Sequence, residues 1–271
     1  MERILVALDG ADYNRNAVDF AFFLARLTNS QVTGMFLEDI VEHGKPVPEH
    51  SGKPVSFISH ADRPTPIETN VSLFSESCER SLVRYAVQRD HGHPSKQIVL
   101  ESRYADIIVV DAQTSFHRHF EGVPTDFVRE IMKESECPVI VAPESFDGID
   151  EIVFAFNGSK SSMFAIKQFT YLFPELRDKK VFVMQIEEAG SGSLTEYGNF
   201  NDWLNGHYGQ VEFVRLKGDA EAELFAQLIR KKNAFIVMGA YGRSALSRFF
   251  SHSHADLLIK AITQAIFITH Y

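Results

Sequence analysis

The sequence predicts an α/β protein built from two doubly wound modules, each with a five-stranded parallel sheet, packed together as an intramolecular pseudo-dimer. Three observations predict it. The chain repeats itself, each repeat alternates short apolar runs with amphipathic stretches, and 271 residues is about twice the size of a small domain.

The repeat is read directly. Arg3-Ile4-Leu5-Val6-Ala7-Leu8-Asp9-Gly10 is matched by Glu151-Ile152-Val153-Phe154-Ala155-Phe156-Asn157-Gly158, an offset of 148 residues. Each is an apolar run closed by a carboxylate or carboxamide and then glycine. Ala105-Asp106-Ile107-Ile108-Val109-Val110-Asp111 is matched by Asn233-Ala234-Phe235-Ile236-Val237-Met238-Gly239 at an offset of 128. The second copy is therefore shorter between these strands, opposite residues 41–66, a stretch rich in Pro, Gly and His that reads as a long loop. Pro138-Val139-Ile140-Val141-Ala142 and Ala265-Ile266-Phe267-Ile268-Thr269 close the two copies. Turn residues at 144–150 mark the linker, giving modules 1–145 and 150–271.

Fully apolar runs of strand length, separated by amphipathic helices, signal parallel strands buried on both faces. In the first copy, residues 4–8 form a strand. Residues 14–27 form a helix with Ala17, Phe20, Ala21, Leu24 and Ala25 on one face. A strand follows at 31–37, then a helix over 68–88 through Val71, Phe74, Cys78, Leu82 and Tyr85. Strands at 97–100 and 106–110, a helix over 125–132 and the Pro138 strand complete the copy. The second copy predicts helices at 161–172, 220–231 and 253–262, with strands at 181–186, 211–216 and 235–238 beside the opening and closing ones. In such a fold, ligands bind beyond the carboxyl ends of the strands where strand order reverses.

Composition narrows the partners. Lys plus Arg number 27 against 36 Asp plus Glu, a formal charge of −9, which repels phosphate backbones and anionic lipid and argues against nucleic-acid or membrane partners. The opening MERILVALDG lacks a charged leader followed by an apolar stretch, and no run of about 18 apolar residues occurs, which predicts a cytoplasmic chain. Two cysteines, Cys78 and Cys137, are too few for a disulfide framework and read as reduced structural thiols.

The motif with most chemistry follows the fourth strand of the second copy: Gly239-Ala240-Tyr241-Gly242-Arg243-Ser244-Ala245-Leu246-Ser247-Arg248-Phe249-Phe250-Ser251-His252-Ser253-His254-Ala255-Asp256. Glycines three apart let the backbone approach an anion. Ser253 and Asp256 form an S-x-x-D capping pair, and a helix N-terminus beside a glycine turn suits phosphate. Arg243 and Arg248 offer charge-assisted contacts.

On these residues, with the VALDG opening, the ADIIVVD strand, the IVMGAYGRSALSRFF segment and the CPVIVAP closing strand, the chain resembles the universal stress protein family in its tandem form. The resemblance spans essentially the whole chain. It implies a stress-response ligand sensor, with modules meeting edge to edge through their last strands. The family's ATP-binding branch carries Gly, two residues, Gly, nine residues, then Gly and Ser or Thr; Gly239, Gly242 and Ser253 match, with His252 where the family has glycine. Non-glycine at a positive-φ position costs about 1–2 kcal/mol, roughly tenfold in affinity. The family's first-strand acid is Asp9 in the first copy and Asn157 in the second. The resemblance implies a nucleotide site at Asn157, Gly158, Ile186, Gly239, Gly242, Arg243, His252 and Ser253, with Ile186 and Glu187 near the adenine and Mg accompanying ATP. In the first copy Asp111, Thr114 and Pro124 replace the glycines and Thr125 stands at the capping place. A carboxylate there repels phosphates, so the first copy is expected not to bind ATP.

Other readings stand beside this one. Gly239, Gly242 and Ser253 also fit a simple strand-to-helix turn. The paired histidines His91/His93, His117/His119 and His252/His254, with His43, His50 and His60 in the long loop, suit zinc by chemistry, but their spacing supplies no complete ligand set and zinc is not expected. Asn157-Gly158-Ser159-Lys160-Ser161 falls short of GxxxxGK[ST], and Ser161/Ser162 reads as a helix cap. No nucleophile elbow occurs, so no catalytic residues are assigned, and at most slow ATP hydrolysis is expected. Asp106 reads as a strand-start residue, the sequons at Asn70 and Asn157 as without consequence, and the 23 Phe as mostly core, with Phe249 and Phe250 alternatively covering a ligand or partner. A nucleotide-free scaffold, binding a protein partner, apolar ligand or zinc through the long loop and module interface, is the alternative function. Further assembly into a homodimer is compatible with either.

Overall fold

A computed structural model describes residues 1–10, 13–39, 64–117, 121–186, 194–216, 220–240 and 263–270. In chain order the elements are β1 (Arg3–Asp9), α1 (Arg15–Thr28), β2 (Gln31–Asp39), α2 (Pro66–Arg80), β3 (Tyr85–Gly92), α3 (Pro94–Ser102), β4 (Ile107–Val110), α4 (Asp126–Glu134) and β5 (Val139–Val141). They continue with β6 (Glu151–Phe156), α5 (Lys160–Leu172), β7 (Lys180–Ile186), α6 (Leu194–Asn205), β8 (Val211–Leu216), α7 (Ala220–Leu228), β9 (Ala234–Ala240) and β10 (Ala265–His270).

The strands form one ten-stranded sheet in the order β3-β2-β1-β4-β5-β10-β9-β6-β7-β8. Pairing is parallel within each half. The halves join where β5 and β10 run antiparallel, with Val141, Ile140 and Val139 opposite Ile266, Phe267 and Ile268. The last strand of each half thus meets its counterpart at the centre, the edge-to-edge arrangement that the family resemblance implied.

Side-chain alternation in the strands divides the core between the two faces. Ile4, Val6 and Leu8 join Phe20, Leu24 and Phe74 on one face, which continues into the other half through Ile152, Phe154, Ile166, Phe169 and Phe200. Leu5 and Ala7 face Ile98, Val128 and Ile131 on the other, which continues through Val153, Ala155, Leu224 and Leu228. Helices α1, α2, α5 and α6 therefore cover one face, and α3, α4 and α7 the other. Phe20 meets Phe235 across the halves with ring centroids 5.9 Å apart. Nine phenylalanines are among the largest fully buried side chains, which bears out their reading as core.

Two predicted elements are corrected, and one helix was not foreseen. The helix expected over 68–88 ends at Arg80 because Leu82 adopts φ +55 and the Val83 N–H reaches back to the Cys78 carbonyl at 3.0 Å, a C-terminal capping pattern that stops helices. Tyr85 therefore belongs to β3, an edge strand whose burial alternates. The strand expected at 97–100 is instead helix α3. Pro94 occupies its first turn, where proline's fixed φ favours helix, and Ile98 and Ser102 form the buried i, i+4 pair. Helix α6 was not foreseen; its buried Phe200 and Leu204, four apart, were the available signal. The helix expected at 253–262, and the long loop at 41–66 up to residue 63, lie outside the described residues.

Candidate functional site

In each half the strand order reverses between the first and fourth strands: between β1 and β4, and between β6 and β9. The carboxyl ends at these two places are where a doubly wound sheet binds ligand.

In the second half, β6 and β9 run in register, Ala155 beside Met238, so Phe156 and Gly239 lie side by side where that pairing ends, Gly239 and Ala240 remaining paired with Thr269 and His270 of β10. Gly158 adopts φ +78, where a side chain is strained and glycine is not. The Asn157 Oδ1 accepts the Ser159 N–H at 3.1 Å, closing an Asx turn. Ser159 is the N-cap of α5, its Oγ accepting the Ser162 N–H at 3.1 Å. The cap is therefore Ser159, correcting the assignment to Ser161/Ser162; Ser162 is buried and its hydroxyl donates to the Ser159 carbonyl at 2.9 Å. No acidic residue lies in the first turn of α5, so the positive end of its dipole is left uncompensated by side chains.

Gly239 lies against this same helix start. A Cβ on it would stand 2.4 Å from the carbonyl carbon and oxygen of Ser161 and 2.7 Å from the nitrogen of Ser162. These are backbone atoms, which no rotamer change can move aside. Glycine at 239 is thus what allows α5 to begin directly over the end of β9. Ile186 ends β7, one residue beyond Gln185, which pairs with Phe156. Nearby, Phe156 stacks on Phe200 of α6 with centroids 4.3 Å apart.

Asn157, Gly158 and Gly239 are therefore brought together at the switch point, with Ile186 on the neighbouring strand. Gly242, Arg243, His252 and Ser253, as well as Glu187, lie outside the described residues.

The first half has a different interior at the corresponding place. Asp111, Thr114 and Thr125 are all buried. The Asp111 Oδ1 accepts the Gln113 N–H at 2.8 Å, and the Thr125 hydroxyl donates to the Thr114 carbonyl at 2.5 Å while capping α4 through the Val128 N–H. The loop is held by its own side chains, with a carboxylate where the second half has Gly239. On the β1 side, the Gly10 carbonyl accepts from Nδ2 of Asn70 at 2.9 Å, so the buried Asn70 serves packing.

The remaining candidates resolve into structure. Asp106 Oδ2 accepts the N–H groups of Glu2 and Arg3 at 2.7 and 2.9 Å, tying the chain start to β4. Both cysteines are free and buried, and burial pushes each thiol up to about 12. His91 pairs with Glu38 at 3.0 Å, and His207 packs on Trp203. Among the described residues no group of three metal-type side chains occurs, and no helix is long and apolar enough to cross a membrane.

No family model matches the sequence, and no curated protein matches it significantly. Solved structures do match. A universal stress protein from Archaeoglobus fulgidus DSM 4304 aligns with TM-score 0.66 and 13% identity over 98% of this chain and 96% of that one. A functionally unknown protein from Pseudomonas aeruginosa PAO1 aligns with TM-score 0.63 and 12% identity over 100% and 92%. At these identities the likeness is one of fold: along nearly its whole length, the chain is built as the Archaeoglobus universal stress protein is.

Proposed function

We propose that this chain is a tandem universal-stress-type protein of the cytoplasm, a ligand sensor without dedicated catalysis. Residues 150–271 form a module that binds ATP, and residues 1–145 form one that does not. The observation that carries the reading is the meeting of Asn157, Gly158 and Gly239 at the second switch point, beside a helix start free of acidic side chains.

That environment suits an anion. The α5 N-terminus is the positive pole of a helix, and the Gly239-x-x-Gly242 segment leaving β9 supplies backbone N–H groups with Arg243 as a charged contact. Ser253, with His252 before it in the sequence, is assigned the remaining phosphate contact by the family's spacing. Ile186, at the end of β7, offers an apolar edge for the base. Mg enters as the counter-ion of the triphosphate, since Asn157 presents an amide rather than a carboxylate and its oxygen already accepts the Ser159 N–H. In the first half, the buried Asp111 carboxylate opposes a phosphate by about 4 kcal/mol for unit charges 4 Å apart at an effective dielectric near 20.

Gly242→Asp tests the proposal. The expected result is loss of nucleotide affinity with an unchanged melting temperature; unchanged affinity contradicts it. The nucleotide-free scaffold is the second reading, favoured by one observation: the close approach of α5 accounts for Gly239 without any ligand.

A further inference from the structure

Two Asn-Gly pairs occur in the chain, Asn157-Gly158 and Asn205-Gly206. Asparagine is a chemically labile residue, and most so before glycine. The nitrogen of the following residue attacks the side-chain amide carbon, and glycine has no side chain to stand in the way. The fold treats the two pairs differently.

At Asn205, the last residue of α6, both members of the pair are exposed, yet the attacking atom is held. The Gly206 N–H donates to the carbonyls of Asp202 at 3.1 Å and Trp203 at 3.2 Å, closing the helix end. At Asn157 the reacting groups are free. The Gly158 N–H and the Asn157 Nδ2, which are the nucleophile and the leaving group, have no hydrogen-bond partner among the described residues. Gly158 is exposed, and nothing lies within 4 Å of the place where a Cβ would stand. The Asn157 Oδ1 accepts the Ser159 N–H at 3.1 Å, which polarises the amide carbon and turns the side chain toward Gly158. Asn157 itself is half-buried, so water reaches the pair. Exposure alone would favour Asn205; the hydrogen bonds favour Asn157.

We propose that Asn157 is a modification site, a spontaneous deamidation that gives the second half the carboxylate that the first half carries as Asp9. The Gly158 nitrogen, its proton taken by water or hydroxide, bonds to Asn157 Cγ, and the Cγ–Nδ2 bond breaks to release ammonia. Water then opens the cyclic imide. Attack at Cγ gives aspartate at 157, and attack at the backbone carbonyl gives the isoaspartyl linkage. The balance is one water consumed and one ammonia released, with no redox step. The aspartate suits its surroundings. A carboxylate at 157 accepts the Ser159 N–H as a charge-assisted bond, just before a helix whose first turn holds no acidic side chain. The charge at the second switch point therefore changes as the molecule ages, while Asp9 fixes it at the first. This site is independent of the nucleotide reading.

The test is storage of the purified full chain at neutral and mildly alkaline pH, folded and in urea, followed by isoelectric focusing, peptide mapping by mass spectrometry and isoaspartyl methyltransferase labelling. In the folded chain an acidic species should accumulate, faster at the higher pH because the Gly158 N–H must lose its proton. It should map to Asn157 about tenfold or more ahead of Asn205, since Gly206 must first release its N–H. In urea, which frees both glycine nitrogens, that preference should shrink severalfold. Asn157→Gln, whose longer side chain has to close a larger and slower ring, should remove the modification. Asn157→Asp should melt no lower than the parent chain. Deamidation of the folded chain no faster at Asn157 than at Asn205, or none at Asn157 over weeks at mildly alkaline pH, overturns the proposal. So does a preference in urea as large as in the folded chain, because the selectivity then owes nothing to the fold, and so does a lowered melting temperature in Asn157→Asp.

Discussion

Adding a single methyl group at Gly239 probes the packing on which the second switch point rests. In Gly239→Ala the new Cβ would lie 2.4 Å from the Ser161 carbonyl carbon and oxygen. Ordinary van der Waals contact begins near 3.4 Å, so helix α5 has to retreat by roughly 1 Å. The helix cannot retreat freely. It buries Ser162, Ala165, Ile166, Phe169 and Thr170, and Phe169 alone packs against Phe154, Phe173, Phe235 and Phe267. Overpacking of a well-filled core costs typically about 1–3 kcal/mol, and backbone atoms as the obstacle place this case at the upper end. At about 2–4 °C per kcal/mol for a protein of this size, the melting temperature falls by roughly 6–12 °C. The assay is thermal and urea unfolding without nucleotide, followed by circular dichroism and by the fluorescence of Trp203, the only tryptophan in the chain. An unchanged midpoint refutes the packing account and leaves Gly239 with a purely ligand-facing role.

Three further outcomes are expected. Ser159→Ala removes the acceptor for the Ser162 N–H and lowers stability by about 1 kcal/mol, while Ser159→Asp restores most of it; urea midpoints of the two variants decide. The buried Cys137 thiol and Tyr208 hydroxyl are both pushed up to about 12, chiefly by desolvation. The folded state then holds protons that the unfolded state releases, so their contribution is intact below the unfolded values near 9 and 10 and is lost as pH rises toward 12. Urea midpoints should fall progressively above about pH 9, and iodoacetamide at pH 8 should modify the cysteines in urea but not in the folded protein; rapid labelling of the folded chain contradicts the buried placement.

Most of the strands were legible because parallel strands buried on both faces carry continuous apolar runs, as in Ile4-Leu5-Val6-Ala7-Leu8 and its counterpart from Ile152. The repeat made each copy a check on the other. Legibility failed where burial is one-sided. The edge strand β3 alternates rather than running apolar, and Tyr85 continued the helical spacing of Phe74, Cys78 and Leu82 until Leu82 turned left-handed. The run Ile98-Val99-Leu100 has strand composition, yet Pro94 starts a helix there and leaves Leu100 51% exposed. At the site, the glycine after Asn157 and Gly239, next to last in β9, were both identified, but the reason for Gly239 was not readable. The atoms it must avoid belong to Ser161 and Ser162, far away in sequence.

The central claim is that the second half binds nucleotide and the first does not. Isothermal titration of the purified chain with Mg-ATP at moderate salt tests it most directly. The account predicts saturable binding at about one site per chain, abolished by Gly242→Asp and indifferent to substitution at Asp111. Two sites per chain, or neither heat nor thermal stabilisation up to millimolar ATP, contradicts it.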